Sequence, residues 1–173
     1  MTSSRGGRLT DLIDAHAGKL VGYFLNRVED LDVVPDLVNE TLYVASRRIL
    51  DVPRSPDRAG MWLFGVARRV LANHRRGVRR KAALDDRLRR EFDQTVAAEP
   101  LSDVAIEVRL AVDSLQPKQA ELIRLVHWDG FSVREAATLL RIPVSTAHDR
   151  HEAARRALRS RLVHLVGERS SER

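Results

Sequence analysis

Residues 130–158 read Gly130-Phe-Ser-Val-Arg-Glu-Ala-Ala-Thr-Leu-Leu-Arg-Ile-Pro-Val-Ser-Thr-Ala-His-Asp-Arg-His-Glu-Ala-Ala-Arg-Arg-Ala-Leu158. The pattern is helix, tight turn, helix. Ser132 followed three residues later by Glu135 is a capping-box signature, so a helix begins there. Val133, Ala136, Ala137 and Leu140 recur at helical spacing and give that helix one apolar face. Pro143 blocks straight continuation, and Ser145 or Thr146 is the expected cap of the next helix. In that second helix Ala147, Ala154 and Leu158 share a face. His148, Asp149, Arg150, Glu152, Arg155 and Arg156 supply polar groups elsewhere. A short scaffold helix before a polar, basic helix is how a helix-turn-helix offers side chains to the DNA major groove. An ordinary helical hairpin is the alternative.

The rest of the chain is consistent with helices alone. Its 173 residues allow one domain or two small ones, and 43% hydrophobic residues suffice for cores. The lack of cysteine excludes disulfides, thiol redox chemistry and cysteine-ligated zinc. No apolar run is long enough for a membrane span, and the first residues lack a signal-peptide core, so a cytoplasmic location without membrane insertion is expected. The net charge of +6 favours an anionic partner. That charge is unevenly spread: residues 1–50 carry a net −1, residues 51–93 a net +6, and residues 94–173 a net +1. The positive excess is therefore separate from the helix-turn-helix, which implies two contact surfaces.

Taken in order, a helix is expected from Leu9 to about Val28. Leu12, Ile13, His16, Leu20, Tyr23, Phe24 and Val28 lie near one face of it. Asp32 is a candidate cap for a second helix from about Val34 to Leu50. Pro35 sits in its first turn, where a missing N–H costs little. Leu37, Val38, Leu42, Ala45 and Ile49 point inward there, leaving Asp36, Asn39, Glu40 and Tyr43 outside. Two prolines and a glycine mark residues 51–60 as a loop. From Met61 the stripe Trp62, Leu63, Val66, Ala67, Val70 and Leu71 is apolar, while Arg68, Arg69, Asn73, Arg75 and Arg76 face elsewhere. Arg79, Arg80 and Lys81 extend the run, and no acid interrupts it from Arg68 to Leu84. That density favours phosphate contact over a merely solvated face.

Residues 83–92 are expected to prolong the helix, and residues 93–103, with Pro100, to form a linker. Beyond it a helix from Val104 to Leu115 carries Ile106, Leu110 and Val112. Another runs from Pro117 to about Trp128, ended by Asp129-Gly130. The last helix continues through Leu162 and Val166. The expectation is an all-α protein of two small helical domains, 9–92 and 104–167, joined by a flexible linker, the second containing the helix-turn-helix.

Catalytic chemistry finds no support. There is no phosphate-cradling glycine loop and no Gly-x-Ser-x-Gly motif. His148 and His151 are three apart, but no His-Glu-x-x-His pattern accompanies them. His151 lies in register with Ala147, Ala154 and Leu158, which favours a packing role. No enzyme, metal or cofactor is implied.

Four stretches together resemble the extracytoplasmic-function sigma factors of bacterial RNA polymerase. Asp32-Val-Val-Pro-Asp-Leu-Val-Asn-Glu-Thr-Leu-Tyr-Val-Ala45 is similar to the family's core-binding helix, Asp-x-Ala-Glu-Asp-Leu-Val-Gln-Glu-Thr-Phe. Trp62-Leu-Phe-Gly-Val-Ala-Arg-Arg-Val-Leu-Ala-Asn-His-Arg-Arg76 resembles its Trp-Leu-x-x-Ile-Ala-Arg-Asn segment and the basic run after it. Leu115-Gln-Pro-Lys-Gln-Ala-Glu-Leu resembles Leu-Pro-x-x-x-Arg-Glu-Leu, and Ile142-Pro-Val-Ser-Thr-Ala-His-Asp-Arg150 resembles Ile-Pro-x-Gly-Thr-Val-x-Ser-Arg.

The resemblance implies a non-catalytic factor whose partners are core RNA polymerase and promoter DNA, with an anti-sigma factor as a further candidate. It implies core-polymerase contacts at Asp36, Asn39 and Glu40. It implies contacts to the −10 region at Arg54, Arg58, Arg68, Arg69, Asn73, Arg75 and Arg76. The loop over residues 51–60 aligns with the family's loop that captures an unstacked base. Contacts to the −35 region are implied at Ser145, Thr146, His148, Asp149, Arg150, Glu152 and Arg155. The departures fall at Arg69, where the family has Asn; Arg141, where it has a turn glycine; His148-Asp149, where Arg-Ser is frequent; and Ala153, where Arg is frequent. The rival reading is a helix-turn-helix regulator binding an operator without polymerase. It explains residues 130–158 but gives no reason for the Asp36–Glu40 face or the basic Trp62 segment.

Overall fold

The computed structural model describes residues 5–85 and 103–171, and all their regular structure is helical. The chain divides into two compact units, Met1–Ala97 and Ala98–Arg173. Of the expected linker, residues 93–102 lie outside the described residues, as do residues 86–92 of the expected helix extension.

The first unit packs three helices against one another: α1 (Arg5–Leu25), α2 (Val34–Arg47) and α3 (Pro56–Asp85). Leu9 and Leu12 of α1 meet Ala45 of α2 and Ala59 and Leu63 of α3 in one apolar cluster. Further along, Tyr23 stands edge-on to Phe24 and Phe64, with ring centroids 5.3 and 5.7 Å apart. These rings supply much of the buried volume of an aromatic-poor chain. At Gly60 α3 passes close to His16 of α1, since a Cβ there would lie 2.8 Å from His16 Nε2. His16 is the half-buried packing residue its register predicts, edge-on to Phe64 at 6.0 Å. Burial, and then the charge of Lys19, hold its pKa below the ordinary value.

Three local expectations need correction. The cap before α2 is Asp30, which accepts from the Asp32 amide at 3.0 Å and starts a 3-10 turn, Leu31–Val33, leading into α2. Asp32 only donates its amide to that turn. The helix α2 then ends at Arg47 and not Leu50, and a second 3-10 turn, Ile49–Asp51, follows. The loop is also shorter than residues 51–60. Ser55 accepts the first α3 bond from the Ala59 amide at 2.8 Å, so Pro56 opens the helix, at the position where proline's missing N–H costs least. Only residues 52–55 remain irregular.

The second unit comprises α4 (Asp103–Asp113), α5 (Pro117–Ile123), a π turn (Arg124–Trp128), α6 (Val133–Leu140) and α7 (Val144–Ser171). Val112, Leu115, Ala120, Ile123 and Ala154 form its core, with Trp128, Ala157 and Leu158 packed on it. On α4 the inward residues are Ala111 and Val112, with Leu115 buried just beyond its end, whereas Ile106 and Leu110 are exposed, Leu110 at 64%. The capping box is present in full. Ser132 Oγ accepts from the Glu135 amide at 3.2 Å, and Glu135 accepts from the Ser132 amide at 2.8 Å. These bonds to Ser132 pull the Glu135 pKa down, so it caps as a carboxylate. At the other end of α6, Ile142 donates to the Ala137 carbonyl at 3.0 Å across Arg141, which adopts φ +55°. This is a Schellman-type end with arginine where glycine is favoured. The helix α7 begins at Val144, with Ala147 donating to the Pro143 carbonyl at 3.1 Å. Ser145 and Thr146 therefore lie inside its first turn and do not cap it. The helix also passes through Gly167.

The left-handed Arg141 generates a prediction. Arg141→Gly removes a Cβ clash of about 1 kcal/mol and raises the stability of the second unit by up to that amount. Urea denaturation should show a higher midpoint at unchanged slope; an unchanged or lower midpoint contradicts the strain.

Candidate nucleic-acid interface

The helix α7 has a buried back and an open front. Ala147, His151 and Ala154 are buried against the rest of the unit. Ser145, His148, Asp149, Glu152, Arg155 and Arg156 are exposed, and Thr146 and Arg150 are half-buried at the flanks. Glu152 accepts from Arg155 Nη1 at 3.3 Å. That pair is open to solvent on both sides and contributes little stability. The front thus offers a donor-acceptor mixture at His148 and Asp149 near the N-terminal end of α7, as major-groove readout requires.

The helix α3 carries the positive field. Its Trp62–Leu71 stripe is buried as expected, apart from Trp62, which is half-buried. Arg58, Arg69, Arg76 and Arg80 follow at intervals of eleven, seven and four residues, which places them along one exposed side. Arg68, Arg75 and Arg79 form a second exposed row beside it. Asn73 accepts from Arg76, and Arg80 Nε donates to the Arg76 carbonyl at 3.4 Å. Arg54 is exposed in the short turn before α3. A 3-10 turn precedes it, steadied by Arg48 Nε donating to Asp51 at 2.8 Å. Leu50 is exposed in that turn.

Arg75 has a second attachment. Its Nη2 donates to the Arg27 carbonyl at 2.9 Å, while Arg27, 7% exposed, donates to the Tyr23 carbonyl at 3.0 Å. The Arg27 guanidinium also lies 3.9 Å above the Tyr23 ring. Arg75 therefore ties α3 to the end of α1, a role the sequence pattern could not separate from phosphate contact.

Asp36, Asn39, Glu40 and Tyr43 are exposed at i, i+3, i+4 and i+7 on α2, Tyr43 at 60%. Beneath them, Leu37, Thr41 and Ala45 are buried, with the Thr41 hydroxyl satisfied by the Leu37 carbonyl at 2.7 Å. A rigid acidic face carrying an exposed tyrosine suits protein contact.

Histidine supplies one further arrangement. His127 of the π turn and His151 of α7 bring their Nε2 atoms to 3.1 Å. Burial first, then the charges of His127 and Arg155, hold the His151 pKa below its ordinary value. Among the described residues no group of three or more metal-ligating side chains gathers. Also among them, no helix is long and apolar enough to cross a membrane.

An open-fronted helix-turn-helix in one unit and a basic helix beside an acidic face in the other define a DNA-binding transcription factor that also contacts protein. Residues 105–158 match the family described as sigma-70, region 4. The chain is 30% identical over 161 residues to the ECF RNA polymerase sigma factor SigL of Mycobacterium tuberculosis, covering 89% of this chain and 88% of that one. It is 32% identical over 139 residues to SigC of the same species, covering 78% and 73%. In fold it is similar to the sigma factor RpoE of Bartonella quintana, solved with the anti-sigma factor NepR (TM-score 0.66, 23% identity, 93% and 98% covered). It is similar also to CnrH, solved with the cytosolic domain of CnrY (TM-score 0.65, 23% identity, 94% and 92% covered). The chain belongs to the extracytoplasmic-function sigma factors, and it directs transcription initiation with RNA polymerase. Sigma factors are generally non-enzymatic regulators that act on cytoplasmic RNA polymerase.

Arg75 and Arg68 should separate in a stability measurement. Arg75→Ala costs the first unit about 1 kcal/mol by losing a charge-assisted hydrogen bond, whereas Arg68→Ala stays within about 0.5 kcal/mol of the parent. Equal urea midpoints for the two variants would remove Arg75 from the fold's support.

Proposed function

We propose that the first unit docks on core polymerase through Asp36, Asn39 and Glu40 and holds the −10 region, while α7 of the second unit reads the −35 element. The observation that carries this reading is the separation of surfaces: an acidic face on α2, arginine rows on α3 and a mixed polar front on α7, each backed by buried apolar residues. On α3, Arg58, Arg68, Arg69, Asn73 and Arg76, with Arg54 before it, hold promoter backbone, and Arg75 is divided between that role and the fold. The Arg79 and Arg80 positions continue the two rows and join the set. The turn over residues 52–55, with the short turn before it, receives an unstacked base.

On α7, His148 donates to a purine N7 and Asp149 accepts from a cytosine amino group. Ser145, Thr146, Arg150, Glu152 and Arg155 orient the helix on the phosphates or contact neighbouring bases. The factor itself catalyses nothing and works in the cytoplasm, where its polymerase is. Because RpoE and CnrH were solved with anti-sigma factors, an anti-sigma factor is a natural partner for this chain as well.

Run-off transcription with core RNA polymerase and a library of promoters tests the division of roles. Wild-type chain should select promoters sharing an upstream and a downstream element, and Glu40→Lys should abolish selection by blocking assembly with core. Arg76→Ala should weaken initiation on every promoter and lower the salt slope by about 1. His148→Ala and Asp149→Ala should change the upstream preference by about 1–3 kcal/mol per base pair. Unchanged upstream preference in both α7 variants would remove them from base reading.

A further inference from the structure

The two imidazoles that join the π turn to α7 have a specific geometry. The Nε2 atoms are 3.1 Å apart, the ring centroids 5.3 Å apart, and the planes 14° from parallel. The centroid separation is nearly the N···N distance plus both ring radii. The rings therefore lie end to end in almost one plane, each Nε2 aimed at the other. Such a contact is a hydrogen bond only while one nitrogen carries a proton and the other does not. Glu152 Oε1, 4.0 Å from His151 Nδ1, favours the proton of His151 on Nδ1. His151 Nε2 then accepts, and His127 Nε2–H donates.

His151 is 9% exposed on the back of α7, in a buried row whose other members are Ala147, one turn before it, and Ala154, one turn after it. Ala147 and Ala154 are too small to resist rotation of α7 about its axis. The imidazole pair is a directional contact between the DNA-facing half of α7 and the core; further along, Arg161 donates to Ser114 Oγ, and Ala157 and Leu158 pack on the core.

We propose that His127 is a positioning residue for DNA reading: its single-proton hydrogen bond to His151 sets the rotation of α7, and acidification releases it.

A proton added at His127 Nδ1 leaves the bond in place. One added at His151 Nε2 sets two N–H groups against each other and breaks it. The charged groups around His151 are His127 from the π turn, and Arg155, Glu152 and His148 from α7 itself. Of these only Glu152 favours the second proton. The other elements packed on α7 turn apolar residues inward: Val108 and Val112 of α4, beside the groove that His127, Arg155 and Arg159 also line, Ala120 and Ile123 of α5, and Ala136 and Ala137 of α6. Since the His151 pKa is lowered in the fold, the bond stays intact through the ordinary histidine range and is lost only as pH falls through the lowered His151 value. Other groups at the DNA interface also respond to pH, so wild-type affinity alone is uninformative. The comparison of variants isolates the pair.

The proposal rests on α7 reading upstream DNA, and two measurements keep the two claims apart. In the full-length free chain, imidazole nitrogen NMR should show a through-bond coupling between the two Nε2 atoms at pH 8 that disappears on acidification. Its absence at pH 8 overturns the hydrogen bond and leaves the DNA reading untouched. In the holoenzyme, binding to DNA carrying the upstream element is compared across variants. At pH 8, His127→Gln, whose amide also donates, should match wild type, and His127→Phe should bind about fivefold more weakly, the equivalent of one net hydrogen bond. Below the pH at which the NMR coupling is lost, wild type should fall about fivefold relative to His127→Gln. Parallel pH profiles for wild type and His127→Gln, or wild-type affinity for His127→Phe at pH 8, overturn the positioning role. Holoenzyme binding that ignores the upstream element in every variant overturns the DNA reading and the positioning role with it, while the coupling still stands for the hydrogen bond.

Discussion

The helix-turn-helix depends on close approach through alanine. The buried residues of α6 are Ala136 and Ala137, and those described on α7 are Ala147, His151 and Ala154, the four alanines being fully buried. Side chains this small let the two helices meet near backbone contact, which sets the angle at which α7 projects. They also leave the front of α7 free to be polar, because little bulky apolar surface has to be hidden behind it. The Schellman-type end at Arg141 and the start at Val144 leave only residues 141–143 to make the turn, so α7 has little freedom to splay. The capping box at Ser132 and Glu135 holds the other end of α6.

In the first unit one helix carries two burdens. The inner side of α3 walls the core with Leu63, Val66, Ala67, Val70 and Leu71, while its outer side bears two rows of arginine. Those rows repel one another when α3 is unliganded, and no acid on the run from Arg68 to Leu84 offsets them. A polyanion relieves that repulsion and releases counterions as it binds. Arg75 shows how the two sides are coupled, since it stands in the basic rows yet bonds to the Arg27 carbonyl. The acidic face of α2 is kept clear by Thr41, whose satisfied hydroxyl lets a polar residue fill the core side.

Much of this was legible in the residues. The capping box, the prolines at 35, 117 and 143 and the glycine at 130, whose φ is +77°, marked helix ends by local chemistry that tertiary packing did not override. The apolar stripe of α3 was equally plain. What failed were features that depend on a neighbour. Two prolines read as loop, yet Pro56 begins a helix because Ser55 supplies the accepting carbonyl. Ile106 and Leu110 read as core, but the second unit buries the Ala111 and Val112 side of α4 and leaves them exposed. Arg75 looked like its basic neighbours until its distant carbonyl partner was placed. His151 could be assigned to packing from its register, whereas its bond to His127, twenty-four residues away, is created by the fold alone.

The chain's lack of cysteine permits one direct test of where its surfaces lie. Ser145→Cys, on the exposed front of α7, gives a single attachment point for an iron–EDTA cleavage reagent. In a promoter complex with core RNA polymerase, the account predicts DNA cuts confined to the −35 element. Cuts centred on the −10 region, or scattered without preference, would contradict it.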